Sequence, residues 1–278
     1  MAFPSPSPPA RPNPETGAPP RVDVLVATYN SSETLAETLV AARQFVPIHC
    51  LIVVDRHSND GTPEIARGFG AQVIEDELGL GYARNQALRV ADTDPVLFLD
   101  SDVRITRPDF YATALREFVR PRTAAVVGMS VGHRFRYGLP LGLTLIGRNW
   151  ALAAAIPDRA QGRETYYLQR AARRSHRTVR YVSEAMVHRG TYRRSPNWPE
   201  FQGASIRVAS GWNPREVVYA GMVVVLMHMN SGSPRNVLYS PIFFAKILRG
   251  YVAPERWGRL DRNRLTLATP PGGPGRSP

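Results

Sequence analysis

Four short apolar runs, spaced through the first hundred residues and ended by polar groups, most constrain what this chain can fold into. Residues 22–27 (VDVLVA) stop at Thr28-Tyr29-Asn30, and residues 50–54 (CLIVV) stop at Asp55. Residues 72–74 form a weaker third run, and residues 96–99 (VLFL) stop at Asp100-Ser101-Asp102. Short continuous runs rich in Val, Ile and Leu are the pattern of strands buried on both faces. Helix-period segments lie between them. Asn30 is placed to N-cap the first helix with Glu33 at its N3 position, and Leu35, Leu39 and Ala42 then share one face. Thr62 caps a second helix with Pro63 at its first position, and residues 81–90 make a third. This alternation predicts an α/β fold with a mostly parallel sheet and right-handed crossovers. Ligands in such sheets bind beyond the carboxyl ends of the strands. Thr28, Tyr29, Asp55, Asp100 and Asp102 all fall on that edge.

Composition narrows the class. A hydrophobic fraction of 43% with 21% charged residues is ordinary for a globular chain. The single cysteine, Cys50, excludes an intrachain disulfide and a cysteine-based zinc site, and suits a reducing compartment. Residues 1–20 carry eight prolines and no apolar core of a leader, so they read as a disordered tail rather than a secretory signal or anchor. Residues 269–278 read the same way. The 35 basic residues exceed the 23 acidic ones, for a net charge of +12. Ten arginines against two acids between Arg159 and Arg194 supply most of that excess.

The two carboxylates of Asp100-Ser101-Asp102 suit a hard cation, Mg²⁺ or Mn²⁺, that also takes phosphate oxygens. A solvated turn is the plainer meaning of an isolated Asp-x-Asp. Its place after a buried strand, with Asp55 and Tyr29 on the same edge, favours the metal. Gly79-Leu80-Gly81 has Arg84 where a dinucleotide fingerprint needs its third glycine, and it follows the third strand, not the first, which speaks against a dehydrogenase. Arg84 could instead point at a phosphate, or be one more surface arginine. His188, after the apolar segment 181–187, is a further candidate metal or phosphate ligand, although a lone histidine is more often structural.

Residues 22–30 (VDVLVATYN), 52–62 (IVVDRHSNDGT), 79–87 (GLGYARNQA) and 96–103 (VLFLDSDV) resemble, in order and spacing, four successive motifs of family 2 glycosyltransferases of the GT-A fold. That resemblance implies a Rossmann-like sheet flanked by helices. It implies that Ala27, Thr28, Tyr29 and Asp55 line a nucleotide and that Arg84 faces the donor. Asp100 and Asp102 would hold ribose and metal. The chain departs from the family pattern at Arg56, which replaces an acid, at Leu80, which replaces a lysine, and at Thr165, which replaces the aspartate of a Glu-Asp pair. The retained acid of that pair, Glu164, becomes the catalytic base. The plainer meaning of Glu164 is an acid at a helix N-terminus, favoured by the dipole.

Arg170, Arg173, Arg174 and Arg177 fall at helical spacing on one face, with Leu168, Ala171 and Ala172 on another. The basic face reads either as solvated or as a contact for anionic lipid; no nucleic-acid-binding motif accompanies it. Residues 217–229 and 237–252 are too short or too interrupted to span a bilayer, and suit core helices or an interfacial hairpin. The expected organisation is a disordered tail (1–20), a glycosyltransferase domain (21–195), a helical appendage that is either core or membrane-interfacial (196–268) and a second tail (269–278). The expected activity is inverting, metal-dependent transfer from a nucleotide-diphosphate sugar to a lipid-linked or polysaccharide acceptor, at the cytoplasmic face of a membrane. Two rivals remain. One is a sugar-1-phosphate nucleotidyltransferase, although residues 27–32 lack its glycine-rich loop. The other is a degenerate sugar-nucleotide-binding protein, suggested by Arg56, Leu80 and Thr165.

Overall fold

The computed structural model describes residues 19–158, 164–189 and 198–257. Residues 1–18 of the first tail, all of the second, Gly162-Arg163 of the acidic-pair motif, and Arg159, Arg193 and Arg194 of the basic stretch lie outside those residues. The strands are β1 (Val22–Thr28), β2 (Ile48–Asp55), β3 (Gln72–Glu75), β4 (Val96–Leu99), β5 (Val103–Ile105), β6 (Thr123–Ser130), β7 (Leu143–Ile146) and β8 (Thr178–His188). They form one sheet in the order β3-β2-β1-β4-β7-β6-β8-β5.

Helices α1 (Ser32–Phe45), α2 (Thr62–Gly68) and α3 (Leu80–Val90) alternate with the first strands, as the apolar periodicity predicts. β3, β2, β1 and β4 pair in parallel. β6 and β8 pair in parallel as well, so the sheet is mostly parallel as expected, with antiparallel pairings between. β7 pairs antiparallel with both β4 and β6, and β5 runs antiparallel to β8. Residues 131–142 join β6 to β7 without a helix, so they provide no crossover unit of the kind that parallel neighbours need.

Side-chain alternation splits the central strands between two cores. Val24, Val26, Leu51, Val53, Leu97 and Leu99 pack on one face with α1 and with α4 (Phe110–Phe118). Leu25, Ile52, Val54, Val96 and Phe98 pack on the other with α3, α5 (Arg148–Ala153) and α6 (Glu164–Arg174). Each such buried aliphatic side chain contributes about 1.5–3 kcal/mol. Both faces are therefore dry, and the strand ends are where polar groups can meet a ligand.

Two capping expectations are corrected. Ser31, not Asn30, precedes α1, and Asn30 takes a left-handed conformation (φ 46°). Its amide N–H donates to Ser58 Oγ and its Oδ1 accepts from the Asn59 N–H, so it pins the turn after β2. The acceptor for the first turn of α1 is supplied by Asp60, whose Oδ2 takes the Ser32 N–H. Gly61, not Thr62, holds the cap position of α2, because its φ of 87° suits glycine.

A third layer follows β8. Helices α7 (Trp198–Ser210), α8 (Pro214–Asn230) and α9 (Pro234–Val252) bury Ile206, Val217, Val224, Ile247 and Tyr251 among themselves. α7 falls within the appendage expected to be helical (196–268), although its own bounds were not read from the sequence. Asn230, the last residue of α8, accepts from the Arg134 and Phe135 N–H groups and donates to the Phe135 carbonyl. Arg173 of α6 pairs with the buried Glu216 of α8 at 3.2 Å. The expected four-arginine face is therefore not uniform: Arg173 is engaged, and Arg177 lies beyond the end of α6. Among the described residues, no helix is long and apolar enough to cross a membrane.

At the opposite end from the polar strand edge, Asp23 is fully buried and acts as a clamp. Its carboxylate accepts from the N–H groups of Cys50, Asp92 and Thr93 and contacts His49 Nδ1 at 2.8 Å. Burial pushes its pKa up, but the hydrogen bonds from Thr93, His49 and Asp92 outweigh that and hold it below the usual carboxylate range. Its contribution to stability is thus fully present above the unfolded value of ~3.9 and is lost as pH falls through the lower folded value. Asp23→Ala should lower stability by about 3 kcal/mol or more, since several buried donors lose their acceptor together. Urea midpoints measured from pH 7 to pH 2 should converge for mutant and parent at the acid end.

Candidate active site

Thr28 closes β1 and Asp55 closes β2, and the parallel register sets them side by side. Thr28 Oγ1 donates to Asp55 Oδ1 at 2.7 Å. Ser58 donates through both its N–H and its hydroxyl to the same carboxylate, at 2.8 and 2.7 Å. Asp55 is buried, so its carboxylate shapes the loop beneath a ligand and does not stand free in the cleft. Tyr29 is the reverse case. The residue is 63% exposed on the edge, and Ala27 is half-buried.

Arg56 turns its guanidinium toward Asp76, 3.7 Å away. Asp76 is a site residue that the sequence reading missed. It is buried, and its Oδ1 accepts from the N–H groups of Leu78 and Gly79, fixing the loop that starts α3. An acid three residues before a glycine at a helix start was the available signal.

The Asp100-Ser101-Asp102 turn is anchored at its middle. The Ser101 carbonyl accepts from Thr34 and Thr38, and its hydroxyl lies 2.9 Å from that of Ser31. The two flanking carboxylates remain 41% and 32% exposed. His188, the last residue of β8, reaches Asp102 at 3.5 Å. The His188 ring holds the Asp102 carboxyl below its ordinary pKa, against a smaller opposing effect of burial. Gly142 matters here because it has no side chain. A Cβ at that position would lie 3.2 Å from Asp100 Oδ2 and 3.7 Å from His188 Cε1. Two partly exposed carboxylates on a fixed turn, with an imidazole beside them and open space against Gly142, form a donor set that fits Mg²⁺ or Mn²⁺. Among the described residues the one cluster of three ligating side chains with atoms within 4.8 Å of one another is His57, Glu75 and Glu77, all exposed and on the surface near β3; the Asp-x-Asp turn offers its two carboxylates outside any such cluster of three.

Arg84 is the junction of the site. It is buried on α3 and its guanidinium contacts two carboxylates: Nη1 meets Glu164 Oε1, and Nη2 meets Asp100 Oδ1 at 3.3 Å. Glu164 thus arrives from the start of α6, eighty residues along the chain, beside the Asp-x-Asp turn. It is 3% exposed, and its Oε2 has no hydrogen-bond partner among the described residues. A buried carboxylate oxygen left open costs free energy unless something else fills it. Asp158 is held elsewhere, accepting from Asn85 at 2.7 Å and facing Arg89 at 3.5 Å. Thr165, one residue after Glu164, turns to an apolar cavity instead of to the carboxylates.

Comparison with known proteins identifies the family and the fold. The pattern described as Glycosyl transferase family 2 matches residues 23–186, more than half of the chain. An uncharacterized glycosyltransferase, YfnE, of Bacillus subtilis (strain 168) is 31% identical over 120 residues, covering 39% of this chain and 30% of its own. A dolichyl-phosphate hexose transferase of Haloferax volcanii is 35% identical over 80 residues, covering 28% of this chain and 35% of its own. The chain thus spans only about a third of the length of these two relatives. Among solved structures, the mannosyltransferase PcManGT of Pyrobaculum calidifontis, in complex with GDP-Man and Mn²⁺, superposes with a TM-score of 0.62 at 17% identity, covering 90% of this chain and 88% of that one. That likeness carries the GT-A fold. With the family pattern running from β1 through the Asp-x-Asp turn to β8, the chain belongs to glycosyltransferase family 2.

Proposed function

We propose that this protein transfers a sugar, with inversion, from a nucleotide-diphosphate sugar to a lipid-linked acceptor, and that Glu164 is its base. The observation that carries the reading is the Arg84 bridge, which joins Glu164 to Asp100 and leaves Glu164 Oε2 buried with no hydrogen-bond partner among the described residues. In this mechanism Oε2 takes the proton of the acceptor hydroxyl as that oxygen bonds to the anomeric carbon. The bond from that carbon to the diphosphate oxygen breaks, and the nucleoside diphosphate leaves with the electron pair. Tyr29 provides the face for the base, over a floor built by Thr28 and Asp55. Arg84 holds Glu164 oriented, and places positive charge beside the departing diphosphate. Asp100 and Asp102, with His188 beside them, would hold Mg²⁺ or Mn²⁺, which when bound supplies further positive charge to the leaving group.

The acceptor class draws on two observations. One relative is named for a dolichyl-phosphate acceptor. In addition, Val218, Met222, Val225 and Met229 form an exposed apolar stripe along α8. A stripe of that kind suits peripheral contact with a membrane surface, and the exposed Arg170 and Arg174 would favour anionic lipid.

Thermal denaturation with UDP-, GDP-, CMP- and dTDP-sugars and Mn²⁺ tests the donor site. At a hundredfold excess over Kd the right donor should raise Tm by roughly 5–10 °C. Asp102→Ala should abolish the Mn²⁺-dependent part of that shift and all transfer, while its own Tm without ligand stays near that of the parent. Full activity in Asp102→Ala, or in excess EDTA, removes the metal assignment.

A further inference from the structure

An apolar cavity of about 340 Å³ lies where the third helical layer meets the sheet domain. Leu139, Ile206, Val223, Val224, Met227 and Ile247 supply much of its wall, and α6 contributes Thr165 and Gln169. We propose that this cavity holds the hydrocarbon chain of the acceptor; the assignment rests on the glycosyltransferase reading above and adds the acceptor's chemistry to it.

Three features carry it. The first is position: Thr165 follows Glu164 on the first turn of α6, so the cavity begins one residue from the base. The second is chemistry. Gln169, Gln202 and two tyrosines, Tyr137 and Tyr219, bring polar groups to a wall that is otherwise mostly aliphatic and aromatic. Such a wall, with a deformable methionine, suits a flexible chain better than a sugar, which needs many polar partners. At ~30 Å³ per water-sized group the volume takes about eleven heavy atoms. The third is the residue at 165. An acid there would place a carboxylate against hydrocarbon, where keeping it ionised is costly, and the chain carries an uncharged threonine instead. α8 is also a shared wall, since Val224 lines the cavity while Val218 and Met222 are exposed on its outer side.

The test is isothermal titration of the intact protein with butyl, hexyl, octyl and decyl phosphate below their micelle-forming concentrations. Affinity should rise about fourfold per added methylene until the cavity is full. Val224→Trp, which fills the cavity, should flatten that series. Thr165→Asp, at a half-buried position that disturbs packing less, should weaken decyl phosphate by about tenfold or more. Both should keep the parent's affinity for nucleotide and Mn²⁺, which also reports that they are folded. Leu238→Glu, on the exposed face of α9, should leave the series unchanged. A flat series in the parent overturns the proposal, as does inorganic phosphate binding as tightly as decyl phosphate. A series flattened by Leu238→Glu and untouched by the two cavity variants also overturns it, because the chain then binds the outer surface. A rising series that the cavity variants flatten, in a protein that binds no nucleotide, supports the cavity and removes only the donor reading.

Discussion

Glu164→Gln is expected to cut turnover by on the order of 10²–10⁴-fold while the donor and Mn²⁺ affinities stay close to those of the parent. The amide keeps the shape of the side chain and an oxygen for Arg84, but it cannot accept a proton at the position of Oε2, which is buried and has no partner among the described residues. Single-turnover rates measured at saturating donor separate this loss from any weakening of binding. Asp158→Asn is the matched control. Its carboxylate is already taken by Asn85 and Arg89, so its effect on turnover should be small. If the two variants exchange behaviour, Asp158 is the base. If neither slows the reaction, Thr165 in the second slot of the acidic pair marks a site without the family's base, and binding of a sugar nucleotide without transfer becomes the better reading.

The second large effect concerns glycine. In most helix interiors Gly→Ala stabilises by about 1 kcal/mol. At Gly203 and Gly250 the sign should reverse. A Cβ on Gly203 would sit 1.9 Å from the Ile247 carbonyl oxygen, and one on Gly250 would sit 1.8 Å from that of Glu200. Helices α7 and α9 therefore cross with their backbones in contact, each through a residue without a side chain. A backbone carbonyl within a helix cannot swing aside, so an added methyl forces the helices apart and opens the core around Ile206, Ile247 and Tyr251. Gly203→Ala and Gly250→Ala should each cost about 3 kcal/mol or more, at the upper end of overpacking effects. Gly221→Ala is the informative comparison. There the nearest atoms belong to the Phe244 ring, 2.9 Å away, and a side chain can yield. Calorimetric traces of the three variants should show the first two losing stability and the third staying within about 1 kcal/mol of the parent. Because α7 and α9 wall the apolar cavity, the first two should also weaken alkyl phosphate binding, while the nucleotide-dependent thermal shift persists.

The strands β1, β2 and β4, the helices between them and the polar groups at their ends were legible in the order of residues. Burial on both faces leaves a local trace, a run of Val, Ile and Leu, and a strand's end is marked by the first polar residue after it. The same holds for α8 and α9, whose start signals are Pro214 and Pro234. Capping was only half legible, because the acceptor for α1 comes from Asp60, twenty-eight residues away. The antiparallel insertion of β7 between β4 and β6 left no trace in any one segment, since register is settled between strands and not within them. Nothing in the segment around Asp23 marks its role, and only the fold shows the N–H groups of Cys50, Asp92 and Thr93 converging on it. The site divides in the same way. Asp55, Asp100 and Asp102 could be placed on one edge from their own surroundings, whereas the meeting of Glu164, Arg84 and Asp100, the open oxygen of Glu164 and the cavity beside Thr165 were decided by tertiary structure alone. Periodicity records how each segment is buried; which distant charges then face one another depends on how the segments pack.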